Sequence, residues 1–439
     1  MTKGKTMTTK MYQAMILIVV LVAGASGRTS ASDVYTLEDA YRAALGSNEY
    51  VKIAEENVVQ ADDRVDQAWT YLYPRLTASG SYKRFNDTLP PGGGSTLFQP
   101  LEQKNAALVL TQPLYTGGRT LAALRSAKKM RETSKSGLSV AKQEIVLRVS
   151  EAYYGVLKAQ KAVEISERSL ERMERHKKVT EREASTRKNK ANASALLRAN
   201  ALVSMARISM IRSQDGLKVA REKLSMLTKL PMDMNVIEPR PLEQPSDELA
   251  RLKETALKNR DDYAGAQGNQ VIAKEYVTIV QGSHYPQISA EAGALYQASH
   301  PATALDATTY YGGLFLKIPL FEGGLMKSEV AEARSKQRQA ELSTDFLRAT
   351  IESEVHEAYV NLQTVTSVLD TAKLQMAYAK DNYEAVESLF TEGLLASLSV
   401  IDAEQALTNA ERELMNTMYD RQVAILRLKK SIGMLGKDT

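Results

Sequence analysis

The sequence predicts a mainly α-helical protein with a small β-barrel portion, built from a duplicated unit of helix, strand, strand, long helix and helix. Two observations lead to this prediction. A motif of the form x-Pro-Leu-aromatic-x-Gly-Gly occurs at residues 112–118 and again at 318–324. Each copy separates a short segment of alternating polarity from a very long segment that lacks proline. Alternation is typical of strands, and long amphipathic segments without proline are typical of helices, so both motifs mark a change from strand to helix.

The first residues have the pattern of a secretory signal peptide. Three lysines precede an apolar run from residue 15 to 23, and small residues follow it. The run is too short to span a bilayer as a helix. We therefore predict a signal peptide at residues 1–25, with cleavage after residue 25 or as late as residue 31.

The first repeat is predicted at residues 36–230. Apolar residues recur at steps of three, four or seven along 37–69, which indicates an amphipathic helix. Strands are predicted at about 75–84 and 105–113, where small or apolar residues alternate with polar ones. The segment 119–187 has no proline and predicts a helix about 100 Å long, followed by a second helix running back.

The second repeat is predicted at residues 247–434, after a proline-rich linker at 231–246. Its strands are predicted at about 287–296 and 309–319. A second long helix follows from about residue 326, breaks near residue 391 and continues to about residue 432.

The two repeats correspond at constant spacing. Tyr285 follows Tyr73 by 212 residues, whereas Pro319 follows Pro113 by 206. The difference of six residues lies in the loop between the two strands, where insertions are best tolerated.

The repeated motifs are predicted to be hinges between strand and helix. Proline cannot donate to a sheet ladder and belongs at a strand end, and paired glycines let the backbone turn sharply. The hinge residues are Pro113, Gly117, Gly118, Pro319, Gly323 and Gly324.

The strands have the length and alternation of membrane-spanning β-strands, and after the first residues no segment is apolar enough for a membrane helix. Four strands are too few, because such barrels need at least about eight and an open edge cannot face lipid. Several copies must therefore contribute to one barrel, and the long helices must pack side by side. Glu291 and Lys317 lie opposite the aliphatic residues of their strands, so we predict that they face the lumen. Whether they pair is left open.

Composition argues against catalytic and nucleic-acid-binding functions. There are no cysteines, and the formal net charge of +5 includes the three lysines of the leader. Basic and acidic residues are interleaved along the helices, so no nucleic-acid partner is predicted. Residues 117–120 lack the lysine of a phosphate-binding loop. We predict no catalytic residues, no metal and no cofactor, and we expect the scattered histidines at the surface: His176, His284, His300 and His356.

With these features the chain resembles the TolC-type outer membrane efflux proteins. The resemblance covers nearly the whole chain after the leader and rests on the two hinges, the Glu-Ala-Tyr triplets beginning at Glu151 and Glu357, and Gly393 followed by residues 400–404. It implies a homotrimer with a 12-stranded β-barrel in outer membrane lipid, continuing into a long α-helical barrel that projects into the periplasm of a Gram-negative bacterium.

The resemblance also implies a function and partners. The trimer would be a passive duct of a tripartite efflux or type I secretion system, exporting small molecules or proteins. An inner-membrane pump and a periplasmic adaptor, or membrane fusion protein, would dock at its periplasmic end.

The resemblance places a pore-facing carboxylate at Asp402, where three copies would form an anionic ring. An alternative is an ordinary helix N-terminal charge or cap. A second pore aspartate of the family falls on Ser399, and an arginine that holds the entrance shut falls on Leu395. We therefore hypothesise that apolar contacts of Leu394 and Leu395, more than ion pairs, hold the resting entrance closed.

The hairpin ends are the predicted docking tip for the adaptor. Gly393 is the stronger candidate, since the family uses a small-residue groove there. Asn189 occupies the corresponding position in the first repeat. Lys188 and Lys190 either meet an acidic adaptor surface or are solvated charges of an exposed turn.

Two other classes of protein remain as alternatives. A periplasmic adaptor would have one helical hairpin flanked by β-rich modules, whereas this chain repeats its hairpin. A secreted coiled-coil scaffold would have no alternating segments.

Overall fold

The structure, a computed structural model, describes residues 34–86, 100–186, 190–245, 247–300, 302 and 306–436. The predicted signal peptide lies outside these residues, as do Lys188 and Asn189. Lys190 is the first residue of a helix, and only its backbone is described.

The described chain follows the predicted order of elements twice. In the first repeat the elements are β1 (Val34–Tyr35), α1 (Leu37–Ser47), α2 (Glu49–Thr70), β2 (Arg75–Arg84), β3 (Glu102–Tyr115), α3 (Arg119–Thr186) and α4 (Lys190–Thr228). In the connection and the second repeat they are β4 (Asn235–Val236), α5 (Leu249–Asn259), α6 (Asp261–Gly282), β5 (Gln287–His300), β6 (Ala307–Lys317), α7 (Leu325–Thr391) and α8 (Ser397–Ser431).

The first predicted helix is divided in two at Asn48. This residue has an extended backbone, and its side chain accepts a hydrogen bond from the Tyr50 backbone N–H at 3.0 Å. Asparagine is a favoured N-cap, so it ends one helix and begins the next. Arg260 divides α5 from α6 at the matching position, 212 residues later.

Four strands form one antiparallel sheet in the order β2-β3-β5-β6. Ser79 pairs with Ala107 in the first repeat, and Glu291 pairs with Gly313 in the second. These positions differ by the same 212 and 206 residues as the sequence repeat. The duplication therefore extends to the register of the strands.

Two short strands were not predicted. The sequence indicated four strands and an irregular linker, but β1 and β4 form a parallel two-residue pair, and β4 lies inside that linker. The Tyr153 hydroxyl donates to the Tyr35 carbonyl at 2.9 Å and to the Ile237 carbonyl at 2.7 Å. This fully buried tyrosine of α3 thus ties the linker to the segment that precedes α1.

The long helices form two antiparallel hairpins, α3 with α4 and α7 with α8, and α3 also packs along α6 and α8. With 68 residues, α3 is about 100 Å long at 1.5 Å per residue. The largest apolar cluster joins α1, the middle of α3 and the C-terminal ends of α4 and α8, and a second joins α5, α7 and α8. Among the described helices, none has both the length and the apolar character needed to cross a bilayer.

Candidate channel surfaces: the sheet, the hinges and the hairpin end

One face of the four-stranded sheet is apolar and exposed. Directly paired residues share a face, so the register places Leu76, Leu110, Ala292 and Gly312 in one row of this face. Large apolar side chains of the face are open to the surroundings: Leu76 (62% exposed), Leu316 (63%), Leu314 (73%) and Tyr310 (78%). Contiguous exposed apolar surface of this kind marks a protein or membrane interaction site.

The opposite face is mostly polar and holds both predicted lumenal residues. Glu291 lies opposite Gly313, and Lys317 lies on the same strand as Gly313, so the two charged residues share a face. They are four residues apart along the strands, about 13 Å at 3.3 Å per residue. This separation is too great for an ion pair, so Glu291 and Lys317 do not pair within one chain.

The first hinge is tightly packed. Gly117 and Gly118 both have positive φ, at +65° and +78°. A Cβ on Gly117 would lie 2.2 Å from the Gly282 carbonyl oxygen and 2.8 Å from the Tyr285 Cβ. Pro113 lies within β3, two residues before its end, where the register with β5 shifts.

The second hinge has the same backbone but open surroundings. Gly323 and Gly324 have φ of +61° and +89°, and no heavy atom comes within 4 Å of a Cβ built on either residue. Pro319 lies two residues beyond the end of β6, although the sequence predicted the strand to reach it.

The turn between α7 and α8 is built around Gly393. Its φ is +78°, and its N–H donates to the Phe390 carbonyl at 2.9 Å while the Leu394 N–H donates to the Leu389 carbonyl at 2.9 Å. This is a glycine-centred helix end, and a Cβ there would meet nothing within 4 Å. Leu394 is 68% exposed and Leu395 is half-buried.

Asp402 lies on the second turn of α8 and is exposed. The helix begins at Ser397 with Ala396 as its N-cap, and its first turn contains no acidic residue. Asp402 is therefore not the N-cap of α8 and lies beyond its first turn. Ser399, nearly one turn earlier, is half-buried.

A buried polar network that the sequence did not predict joins α3 to α8. The Arg172 guanidinium lies 3.3 Å from Glu404 and 3.2 Å from Glu411, and it donates to the Thr408 hydroxyl at 2.9 Å. The side chains of the three charged residues are 8–9% exposed. Ser169 also donates to Glu404, at 2.6 Å. One arginine of the first repeat thus holds two carboxylates of the second.

His176 lies one helical turn further along α3 and is buried, so the expectation that every histidine lies at the surface is wrong. Its Nε2 lies 2.8 Å from the Ser397 hydroxyl, and its ring centre lies 4.9 Å from that of Phe390. Burial lowers the pKa of His176, and the nearby Glu387 carboxylate acts in the opposite direction. His284 is also largely covered, between Glu322 and Glu329.

Within the described residues, no group of three or more acidic, histidine or cysteine side chains could hold a metal ion.

These features together define a class of protein. Two long helical hairpins continue from a four-stranded sheet with one exposed apolar face, which is the subunit architecture of an outer membrane channel. The sequence model of the family described as "Outer membrane efflux protein" matches residues 40–228 and 252–434. The chain belongs to this family.

Individual proteins agree with this assignment. The chain is similar to the outer membrane protein TolC of Escherichia coli (strain K12), with 22% identity over 449 residues that cover 96% of this chain and 87% of TolC. It is similar to the alkaline protease secretion protein AprF of Pseudomonas aeruginosa, with 24% identity over 312 residues that cover 67% and 62% of the two chains. The crystal structure of the Campylobacter jejuni CmeC outer membrane channel superimposes with a TM-score of 0.79 at 16% identity, covering 91% of this chain and 85% of CmeC.

Proposed function

We propose that three copies of this chain form a passive duct through the outer membrane, with no enzymatic activity. The observation that carries the proposal is the sheet: its apolar face is exposed, and β2 and β6 are edge strands within the described chain. An unpaired edge cannot face lipid, and at least about eight strands are needed to close a barrel. Three copies would supply twelve strands, and their hairpins would continue the barrel as an α-helical cylinder.

The repeat supports a specific register between copies. Within the chain, Val109 of β3 pairs with Gly293 of β5. Shifting these positions by the repeat spacings of 206 and 212 gives Phe315 of β6 and Ser81 of β2. We therefore place Phe315 of one copy opposite Ser81 of the next.

The duct would work with a periplasmic adaptor and an inner-membrane pump, in tripartite efflux or type I secretion. The name of AprF, a protease secretion protein, supports protein export as one cargo class beside small molecules. The adaptor would dock at the exposed turn around Gly393, whose surface is open and carries no side chain at the glycine itself. Asn189, Lys188 and Lys190 are the candidates at the other tip.

The periplasmic entrance would lie beside this turn. Asp402 is exposed on the second turn of α8 and would give three carboxylates around the axis, whereas Ser399, at the position of the family's second aspartate, would give no second ring of carboxylates. Leu394 and Leu395 would close the entrance by apolar contact. Leu395→Ser should raise single-channel conductance in a planar bilayer, and an unchanged closed state would reject this role.

Fractionation tests the proposed function. The chain should appear in outer membranes as a detergent-resistant trimer and, when purified, should conduct ions in a planar bilayer. Recovery as a soluble periplasmic monomer would contradict the proposal and would favour an adaptor or scaffold.

A further inference from the structure

The polar face of the sheet carries more positive than negative charge. Residues at odd positions of each strand share this face through their pairings, and their charged members are Arg75, Lys83, Glu291 and Lys317. Arg75, Thr111, Glu291 and Gly313 lie in one row across the sheet. Each chain therefore presents three cations and one carboxylate on this face.

These charges are not compensated within the described chain. Arg75, Lys83 and Lys317 are exposed, and no carboxylate of the described residues lies within ion-pair distance of any of them. The rest of the polar face consists of small, hydroxyl, amide and a few apolar side chains. Fixed charges on low-dielectric walls raise the local concentration of ions of opposite sign.

We propose that the part of the lumen formed by the sheet is a cationic surface that favours anionic solutes over cationic ones. The inference rests on the proposed function, because it requires the polar face to line a duct. Three copies would place nine cations and three carboxylates around one lumen. The sign is opposite to that of the Asp402 carboxylates at the periplasmic mouth, so the two ends of the duct would differ in the ions they concentrate.

Ser79 is a suitable reporter position. It lies on the polar face of β2, four residues from Arg75 and four from Lys83, about 13 Å from each at 3.3 Å per residue. The inferred register between copies also places Lys317 of the neighbouring copy opposite Ser79. The chain has no cysteine, so Ser79→Cys provides a single thiol. The adjacent Ala78→Cys lies on the apolar face and serves as the control.

The experiment compares modification rates in purified trimers with anionic and cationic methanethiosulfonate reagents of similar size. Salt should be about 10 mM, where the Debye length is about 30 Å and the fixed charges are weakly screened. We expect Ser79→Cys to react several-fold faster with the anionic reagent. Adding Lys83→Gln and Lys317→Gln should remove most of the preference, whereas Lys104→Gln, on the apolar face, should leave it unchanged.

Two results would overturn the inference, and they are distinguishable. Equal rates, or faster reaction with the cationic reagent, would contradict the cationic lumen and leave the duct intact. If Ser79→Cys is inert to both charged reagents while Ala78→Cys reacts, the polar face does not line an aqueous lumen, and the proposed function fails with the inference.

Discussion

The two strand-to-helix hinges share a sequence motif and a backbone but differ in their surroundings. At the first hinge, Gly117 touches the end of α6, and Leu114 and Tyr115 are 56% and 47% exposed. At the second hinge, nothing approaches Gly323, and Leu320 and Phe321 are 89% and 88% exposed. The first hinge is packed because another repeat follows it in the chain.

This difference indicates which contact is missing. The first hinge packs against α6, whose counterpart in the first repeat is α2. A second copy would bring its own α2 to the second hinge and would cover a surface that the single chain leaves open. The same motif would thus serve folding in one repeat and assembly in the other.

The largest effect is expected at the packed hinge. In Gly117→Ala the new Cβ would lie 2.2 Å from a backbone oxygen, in addition to a positive φ that costs about 1–2 kcal/mol for a residue with a side chain. We expect loss of the folded protein. Gly118→Ala, with positive φ and open space, should remain folded. The measurement is the yield of folded protein and its thermal unfolding, and equal behaviour of the two variants would contradict the contact.

The next largest effect is expected where α3 meets α8 at the other end of the helices. Arg172→Gln leaves the buried Glu404 without its arginine, whereas Glu411 still lies 3.6 Å from Arg168, and removing one partner of a buried ion pair costs about 3–5 kcal/mol. We expect faster hydrogen exchange around the α7–α8 turn. Arg175→Gln, which removes an exposed pair with Glu171 on the same helix, is the control and should change little.

A smaller effect on the single chain, but a selective one on assembly, is expected at the open hinge. Gly323→Ala and Gly324→Ala both place alanine at positive φ, so both should lower stability by about 1–2 kcal/mol. Only Gly323 corresponds to the crowded Gly117. We expect Gly323→Ala to lower the trimer fraction in native electrophoresis and Gly324→Ala to keep it; equal trimer fractions would argue against a neighbour at this site.

The smallest effect concerns pH. Burial lowers the pKa of His176 from its ordinary value of 6.5, so the folded state prefers the neutral ring. The stability that the neutral His176 ring contributes to the folded state is fully present above pH 6.5. It is lost as the pH falls from 6.5 through the lowered folded-state pKa. Protection factors in the α7–α8 turn should therefore decrease on acidification, and His176→Gln should weaken this dependence. An identical pH response in the variant would exclude His176 as the cause.

The periodic and repeated features of the chain could be predicted from its sequence. The spacings of 212 and 206 reappear in the strand register, because a duplicated strand pair keeps both its alternation and its pairing. The hinge glycines were also predicted, since a turn with positive φ requires them.

Other features depend on tertiary contacts that local patterns do not encode. Two-residue strands such as β1 are too short to show alternation. Arg172 and Glu404 are 232 residues apart, and each is one of many charged residues on its helix. The burial of His176 follows from the packing of α7 and α8 against α3, which the spacing of apolar residues along α3 alone did not reveal.

The central claim is that each copy completes its neighbour's sheet in the register set by the repeat, and cysteine cross-linking tests it most directly. Directly opposed residues of adjacent strands have the Cα separation of about 5 Å that a disulfide needs. The account predicts that the variant carrying Phe315→Cys and Ser81→Cys forms covalent trimers on oxidation, while the variant carrying Phe315→Cys and Thr77→Cys, displaced by four residues on the same face, does not. Cross-linking of the displaced pair instead, or only within single chains, would contradict the claim.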